Sequence, residues 1–171
     1  SQQAKANNVW LIGGTIPCQQ GIRDINKVRS ACFVYDSEGV EVARYDKIHM
    51  FDVDIRDSHG SYRESDTFEA GAELVVVDTP VGKVGLTICY DLRFAEIHAK
   101  LVDLGAQIIV NGAAFTKTTG QAHWHTLLRA RAIETQCYVL AASHGGQHDH
   151  RQTYGHSMII DPWGEILVEL G

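Results

Sequence analysis

Apolar residues along the chain fall into short blocks separated by polar, turn-rich stretches. Residues 9–14, with Val9, Trp10, Leu11 and Ile12, read as a strand that follows an abruptly polar start. Residues 30–36 and 40–45 are predicted to pair as a hairpin around Asp36-Ser37-Glu38-Gly39. Residues 47–71 are charged and aperiodic and read as a long loop. Residues 74–78 and 83–88 are predicted strands joined by Thr79-Pro80-Val81-Gly82. A helix is expected from just after Cys89 to about residue 104, where Gly105 stops it, with Asp91 as its cap and Leu92, Ile97 and Leu101 on one face. Residues 108–110 form a short buried strand. A second helix over 121–134 places Trp124, Leu127, Leu128 and Arg131 near one face. Residues 138–142, 157–161 and 166–170 read as strands, with Asp161-Pro162-Trp163-Gly164 as a turn between the last two. Helices interleaved with short buried strands favour an α/β layered sheet.

The 171 residues suit one domain over 1–171 with a real core. The formal net charge of −6, with no basic stripe to offset it, argues against a nucleic-acid or anionic-membrane partner. No apolar run approaches the ~18 residues of a membrane span. The first eight residues lack the apolar core of a signal peptide. Cys18, Cys32, Cys89 and Cys137 form no CxxC pair. That spacing fits reduced, cytoplasmic thiols, with no disulfide framework, metal set or cofactor expected. Both ends read as cut inside a fold, since strand-like segments lie close to each terminus.

Cys89 sits where an apolar run gives way to a predicted helix. Read locally, it is either a buried core thiol or a nucleophile at a strand–helix corner, where backbone N–H groups favour a thiolate and hold an oxyanion. Lys47 is either a solvated loop lysine or an inward cation beside that thiol. Glu64 is either a surface carboxylate paired with Arg63 or a group that orients Lys47 or a substrate amine, or acts as an acid/base. A Cys–His dyad would draw on His49, His98, His123, His125 or His156, and nothing in the sequence selects one. His144, His148 and His150 cluster loosely, at spacings that match no familiar ligand set.

In combination these segments resemble the carbon–nitrogen hydrolase (nitrilase) superfamily, close to its amidase branch. The resemblance rests on Lys47-Ile48-His49-Met50-Phe51-Asp52, Arg63-Glu64-Ser65-Asp66-Thr67 and Val84 through Phe94 around Cys89. It continues through Ala113-Ala114-Phe115-Thr116, Ala122-His123-Trp124, Leu127 through Glu134, Tyr154 through Met158, and Asp161 through Glu165. The resemblance implies a four-layer α–β–β–α sandwich, here incomplete, that pairs through the two helices as a homodimer or within a higher homo-oligomer. It implies Cys89 as nucleophile, Lys47 as stabiliser of charge on the oxyanion and Glu64 as supporting carboxylate. The Tyr90 backbone N–H would serve the oxyanion hole, and Phe115 and Thr116 would line the substrate site. The implied reaction is hydrolysis of a small linear, carboxylate-bearing amide through a thioester.

The family's general-base glutamate lies upstream of the segment matching residues 9–14. In this chain no carboxylate precedes Asp24, and the first glutamate is Glu38. Impaired catalysis by the chain alone is therefore expected. The alternatives are a non-catalytic, dimerising homologue and, more remotely, a Cys–His protease. Three smaller departures from the family pattern are Cys18 after Pro17, Met50, and His125 after Trp124.

Overall fold

A computed structural model of the chain describes residues 1–54, 61–148 and 151–171. A short helix α1 (Gln2–Asn7) leads into β1 (Leu11–Ile12), β2 (Ile16–Cys18), β3 (Arg29–Tyr35) and β4 (Glu41–Asp46), which form a four-stranded antiparallel sheet. A small hairpin of β5 (Asp52–Asp54) and β6 (Ser61–Arg63) follows. Then come β7 (Val76–Thr79), β8 (Gly82–Ile88), α2 (Ala95–Asp103), β9 (Ile108–Ala113), α3 (Lys117–Thr135) and β10 (Tyr138–Ser143). The chain closes with a hairpin of β11 (Gly145–His148) and β12 (Arg151–Tyr154), then β13 (Ser157–Ile160) and β14 (Ile166–Leu170). The large sheet runs β14-β13-β10-β9-β8-β7. Its centre, β8-β9-β10, is parallel, so each step needs a crossover, and α2 and α3 supply them.

The period-2 alternation of the central strands builds a core on each face. Ile109, Val139, Ala141, Met158 and Ile160 pack against Trp124, Leu128 and Ala132 of α3. On the other face, Val84, Leu86, Ile88 and Val110 pack against Cys32, Val34 and Tyr45 of the smaller sheet. The result is helices, six-stranded sheet, four-stranded sheet. Among the described residues the only α-helix outside the α2–α3 layer is α1, set against the β3–β4 turn. Gly85 lets α2 approach closely: a Cβ there would lie 3.2 Å from the Ala106 Cβ and 3.3 Å from the Leu101 Cβ. No helix of the described residues is long and apolar enough to cross a membrane.

Several expectations need correction. The polar start is helical, and Asn8 ends α1 in the left-handed conformation (φ 51°); one and a half turns are too short to show periodicity. The strand expected over 9–14 shrinks to two residues: Gly13 still donates to the Phe33 carbonyl at 2.8 Å, and Gly14, at φ 70°, turns the chain away. The long segment 47–71 is not a plain loop. It holds the β5–β6 hairpin and a 3₁₀ turn at Glu64–Asp66, hidden by charges on exposed strands; residues 55–60 lie outside the described set. The helix expected straight after Cys89 is a 3₁₀ turn, Cys89–Arg93, then an extended Phe94, and only then α2. The second helix starts at Lys117, where Thr116 Oγ1 accepts from the Thr119 N–H. The Gly-rich stretch after Ser143 is the β11–β12 hairpin, with His150 outside the described residues.

His98 of α2 is 1% exposed. Its Nδ1–H donates to the Phe94 carbonyl at 2.8 Å, while Nε2 has no partner among the described residues. Burial lowers its pKa from 6.5 to about 4, so the fold holds the neutral ring. Between those values the unfolded chain binds the proton and the folded chain does not, so stability falls as pH drops from about 6.5 towards about 4. The loss attributable to this group is on the order of 3 kcal/mol. Urea midpoints measured across this range should fall less steeply in His98→Leu than in wild type; parallel curves would discount the buried imidazole.

Candidate active site

The strand β8 ends at Ile88 and hands over to Cys89, whose φ of 49° places a non-glycine residue in the left-handed region. The turn that follows is held from inside by Asp91, which has no exposed surface. Asp91 Oδ2 accepts from the Tyr45 hydroxyl at 2.7 Å and from the Ile88 N–H at 2.9 Å. Asp91 Oδ1 accepts from the His49 N–H at 3.0 Å and lies 2.7 Å from His49 Nδ1. The carboxylate therefore does not cap α2. It ties the end of β8 to the end of β4 and to the segment beyond it. Burial and the Asp91 charge both push the Tyr45 phenol pKa upward, so it stays a donor.

Tyr45 and Lys47 are two apart at the end of an extended strand and point the same way. Lys47 is 3% exposed, and its ammonium pairs with the Glu64 carboxylate. Glu64 Oε2 also accepts from the Phe51 N–H at 2.6 Å. The local pairing of Glu64 with Arg63 does not occur; Arg63 instead bonds Asp54 at 2.9 Å. The Lys47 backbone is fixed on both sides, its N–H donating to Ser30 O (2.9 Å) and its carbonyl accepting from Gly71 (2.8 Å). A Cβ at Gly71 would fall 2.2 Å from the Asp46 carbonyl oxygen, so only glycine fits there.

Burial raises the Cys89 pKa above its ordinary value, outweighing the Lys47 cation and a hydrogen bond from the Ala114 backbone; the Glu64 and Asp91 charges push it up further. A single 3₁₀ turn has too little aligned dipole to reverse this.

Cys89, Lys47, Glu64, Tyr90, Phe115 and Thr116 all line one cavity of about 590 Å³. The Tyr90 ring meets Phe51 and Phe94 edge-on, at 5.1 and 5.5 Å between centroids. Phe115 packs on Trp124 at 4.8 Å. The Thr116 hydroxyl is engaged by Thr119 at the start of α3. Sequence reasoning missed Arg93, which also lines the cavity. Its guanidinium lies over the Tyr90 and Phe115 rings, 5.6 and 5.5 Å from their centroids. Its Nη2 lies 3.2 Å from His123 Nδ1, and no carboxylate pairs with it among the described residues. A cation one turn beyond the candidate nucleophile was the available signal.

The five histidines considered for a dyad are used elsewhere. His49 binds Asp91 and stacks on Phe94, His98 lies in the core, and His123 meets Arg93. His125 and His156 both meet Glu169. His144 reaches the cavity and stacks on His148 at 5.0 Å.

The carbon–nitrogen hydrolase family matches residues 1–171. The deaminated glutathione amidase of Yersinia enterocolitica is 51% identical over 167 residues, taking in 97% of this chain and 58% of that protein. The crystal structure of the Caenorhabditis elegans NitFhit protein superposes with a TM-score of 0.91 at 43% identity, over 99% of this chain and 41% of that one. That of Saccharomyces cerevisiae Nit3, a member of branch 10 of the nitrilase superfamily, gives a TM-score of 0.85 at 33% identity, over 99% and 58% of the two chains. The chain spans 58% and 53% of the deaminated glutathione amidases of Yersinia enterocolitica and Mus musculus, and 38% of the Caenorhabditis elegans NitFhit protein.

Alkylation by iodoacetamide, followed by peptide mass spectrometry, checks the electrostatics of the corner. Cys89 should react ahead of the buried Cys32, whose pKa burial raises to about 11, and ahead of the buried Cys137. Its rate should climb with pH through the range above the ordinary thiol value. Lys47→Met removes the main opposing cation and should slow the reaction at fixed pH. A faster reaction in that variant would contradict the assignment.

Proposed function

Because the chain belongs to the carbon–nitrogen hydrolase family, we propose that the cavity hydrolyses a small linear amide through a Cys89 thioester. The observation that carries the reading is the convergence of a thiol, a buried ammonium and its carboxylate in one cavity, drawn from three distant stretches of chain. In this reading Cys89 Sγ adds to the amide carbonyl carbon. Lys47 and the Tyr90 backbone N–H hold the resulting oxyanion. The C–N bond breaks, the thiol proton passes to the leaving nitrogen, and ammonia or an amine departs. Water then adds to the thioester, releasing a carboxylic acid and restoring the thiol.

Two further points refine the proposal. Arg93 faces the cavity with no carboxylate partner among the described residues, which suits a substrate bearing its own carboxylate. Phe115 and Thr116 shape the wall. Deaminated glutathione, for which the Yersinia relative is named, is a natural first substrate to try. The described carboxylate that lines the cavity, Glu64, is already bound to Lys47 and Phe51, and the thiol is held neutral. The chain by itself is therefore a slow amidase. We also propose a homodimer through the outer faces of α2 and α3, where Leu104 and Ile133 are more than half exposed (53% and 51%).

Release of ammonia or product amine from a panel of linear amides tests the reaction. Slow turnover, lost in Cys89→Ala and favouring carboxylate-bearing members, is expected, with the preference erased in Arg93→Met. Turnover that survives Cys89→Ala would sink the proposal. No turnover at any pH would leave a non-catalytic homologue. For the dimer, sedimentation should give twice the chain mass in wild type and a monomer in Ile133→Glu; a wild-type monomer at high concentration would exclude it.

A further inference from the structure

Away from the cavity, α3, the residue before β13, and β14 bring three metal-ligating side chains together. His125 Nε2 lies 2.9 Å from Glu169 Oε1, and His156 Nδ1 lies 2.6 Å from the same oxygen. All three ligand atoms fall within 4.8 Å of one another. We propose that His125, His156 and Glu169 form a binding site for a divalent transition cation of the zinc type, which ties the edge strand β14 to α3.

The chemistry of the donors favours this class of ion. Two imidazole nitrogens and one carboxylate oxygen make a borderline set, suited to zinc and its neighbours and poorly suited to calcium or magnesium. Ligand atoms at about 2.0–2.1 Å from a tetrahedral ion sit about 3.3 Å apart. The two contacts to Glu169 therefore need to open by about 0.4 and about 0.7 Å, and the two imidazole nitrogens, which lie within 4.8 Å of each other, need to settle at the same spacing to admit one. Three protein ligands leave a fourth position for water.

The site is held from behind. The indole N–H of Trp124, which is fully buried and adjacent to His125, donates to the His156 carbonyl at 2.8 Å. One buried contact thus positions both histidines. His156 itself is in the left-handed conformation (φ 59°). The next residue, Ser157, exchanges two hydrogen bonds with the Ser143 backbone, at 2.9 and 3.2 Å. Glu169 is fixed by the β13–β14 register, opposite Met158. The Tyr154 ring walls one side, 4.2 Å from the His156 ring and 5.9 Å from that of His125. No lysine or arginine competes for Glu169 among the described residues. The ligands lie at positions 125, 156 and 169, a spacing that carries no sequence signal. None lines the cavity, so the ion would act on the stability of the sheet edge and not on the reaction.

Titration calorimetry with zinc chloride, run on wild type and on Cys89→Ala so that zinc held by the thiol is not counted, tests the site. One ion per chain is expected in both, together with a rise in melting temperature at saturating zinc. Cobalt(II) should give the visible d–d absorption of a tetrahedral site. His125→Ala and Glu169→Gln, with folding verified by circular dichroism, should each bind at least about tenfold more weakly and lose the thermal shift. Binding unchanged in these variants, binding lost in Cys89→Ala, or no saturable uptake below millimolar zinc would overturn the proposal.

Discussion

The buried carboxylate of Asp91 is the interaction on which the candidate site depends. A carboxylate without exposed surface is costly unless its oxygens are met by donors. Here the Tyr45 hydroxyl, the Ile88 N–H and the His49 backbone and ring supply them. Those donors come from both sheets of the sandwich, from β4 and its continuation and from the end of β8. The charge can be satisfied only when the two sheets are docked in one register. That docking also sets Lys47, two residues after Tyr45, near Cys89, three residues after Leu86.

The same burial that fixes the geometry works against the chemistry. Lys47 is nearly inaccessible and its charge is shared with Glu64. It can offset only part of the desolvation that keeps the Cys89 thiol protonated. Desolvation raises the barrier to forming a thiolate, yet strengthens every donor aimed at an oxyanion. In the proposed reaction that balance suits a thiol that loses its proton only once a carbonyl is in place, with proton transfer accompanying attack.

Much of this was legible in the order of residues. The apolar blocks that became β8, β9 and β10 alternate with helical stretches, and that alternation marks an α/β sheet. Lys47, Glu64 and Cys89 converge as their motifs implied. What was not legible depends on distance in sequence. Asp91 reads as a helix cap because Asp near a helix start usually is one, and nothing local reveals Tyr45 and His49 as its donors. The β5–β6 hairpin is masked because each three-residue strand carries a single apolar residue, Val53 or Tyr62, among the polar Asp52, Asp54, Ser61 and Arg63. The desolvation of Cys89 is not legible either, because a sequence shows neighbours in the chain but not the burial that packing on both faces of the large sheet imposes.

The Cys89 corner is also gripped from the opposite layer. Arg131 of α3 is 5% exposed, donates through Nε to the Leu92 carbonyl at 2.9 Å and reaches Glu134 at 2.6 Å. Leu92 belongs to the turn that Asp91 secures from the other side. A left-handed φ at a non-glycine residue costs on the order of 1 kcal/mol and persists only where surrounding contacts over-determine it. Asp91 from the sheet side and Arg131 from the helix side provide such contacts. The conformation of Cys89 is thus a property of the layered fold and not of the local turn, which explains why the helix expected there is replaced by a single tight 3₁₀ turn.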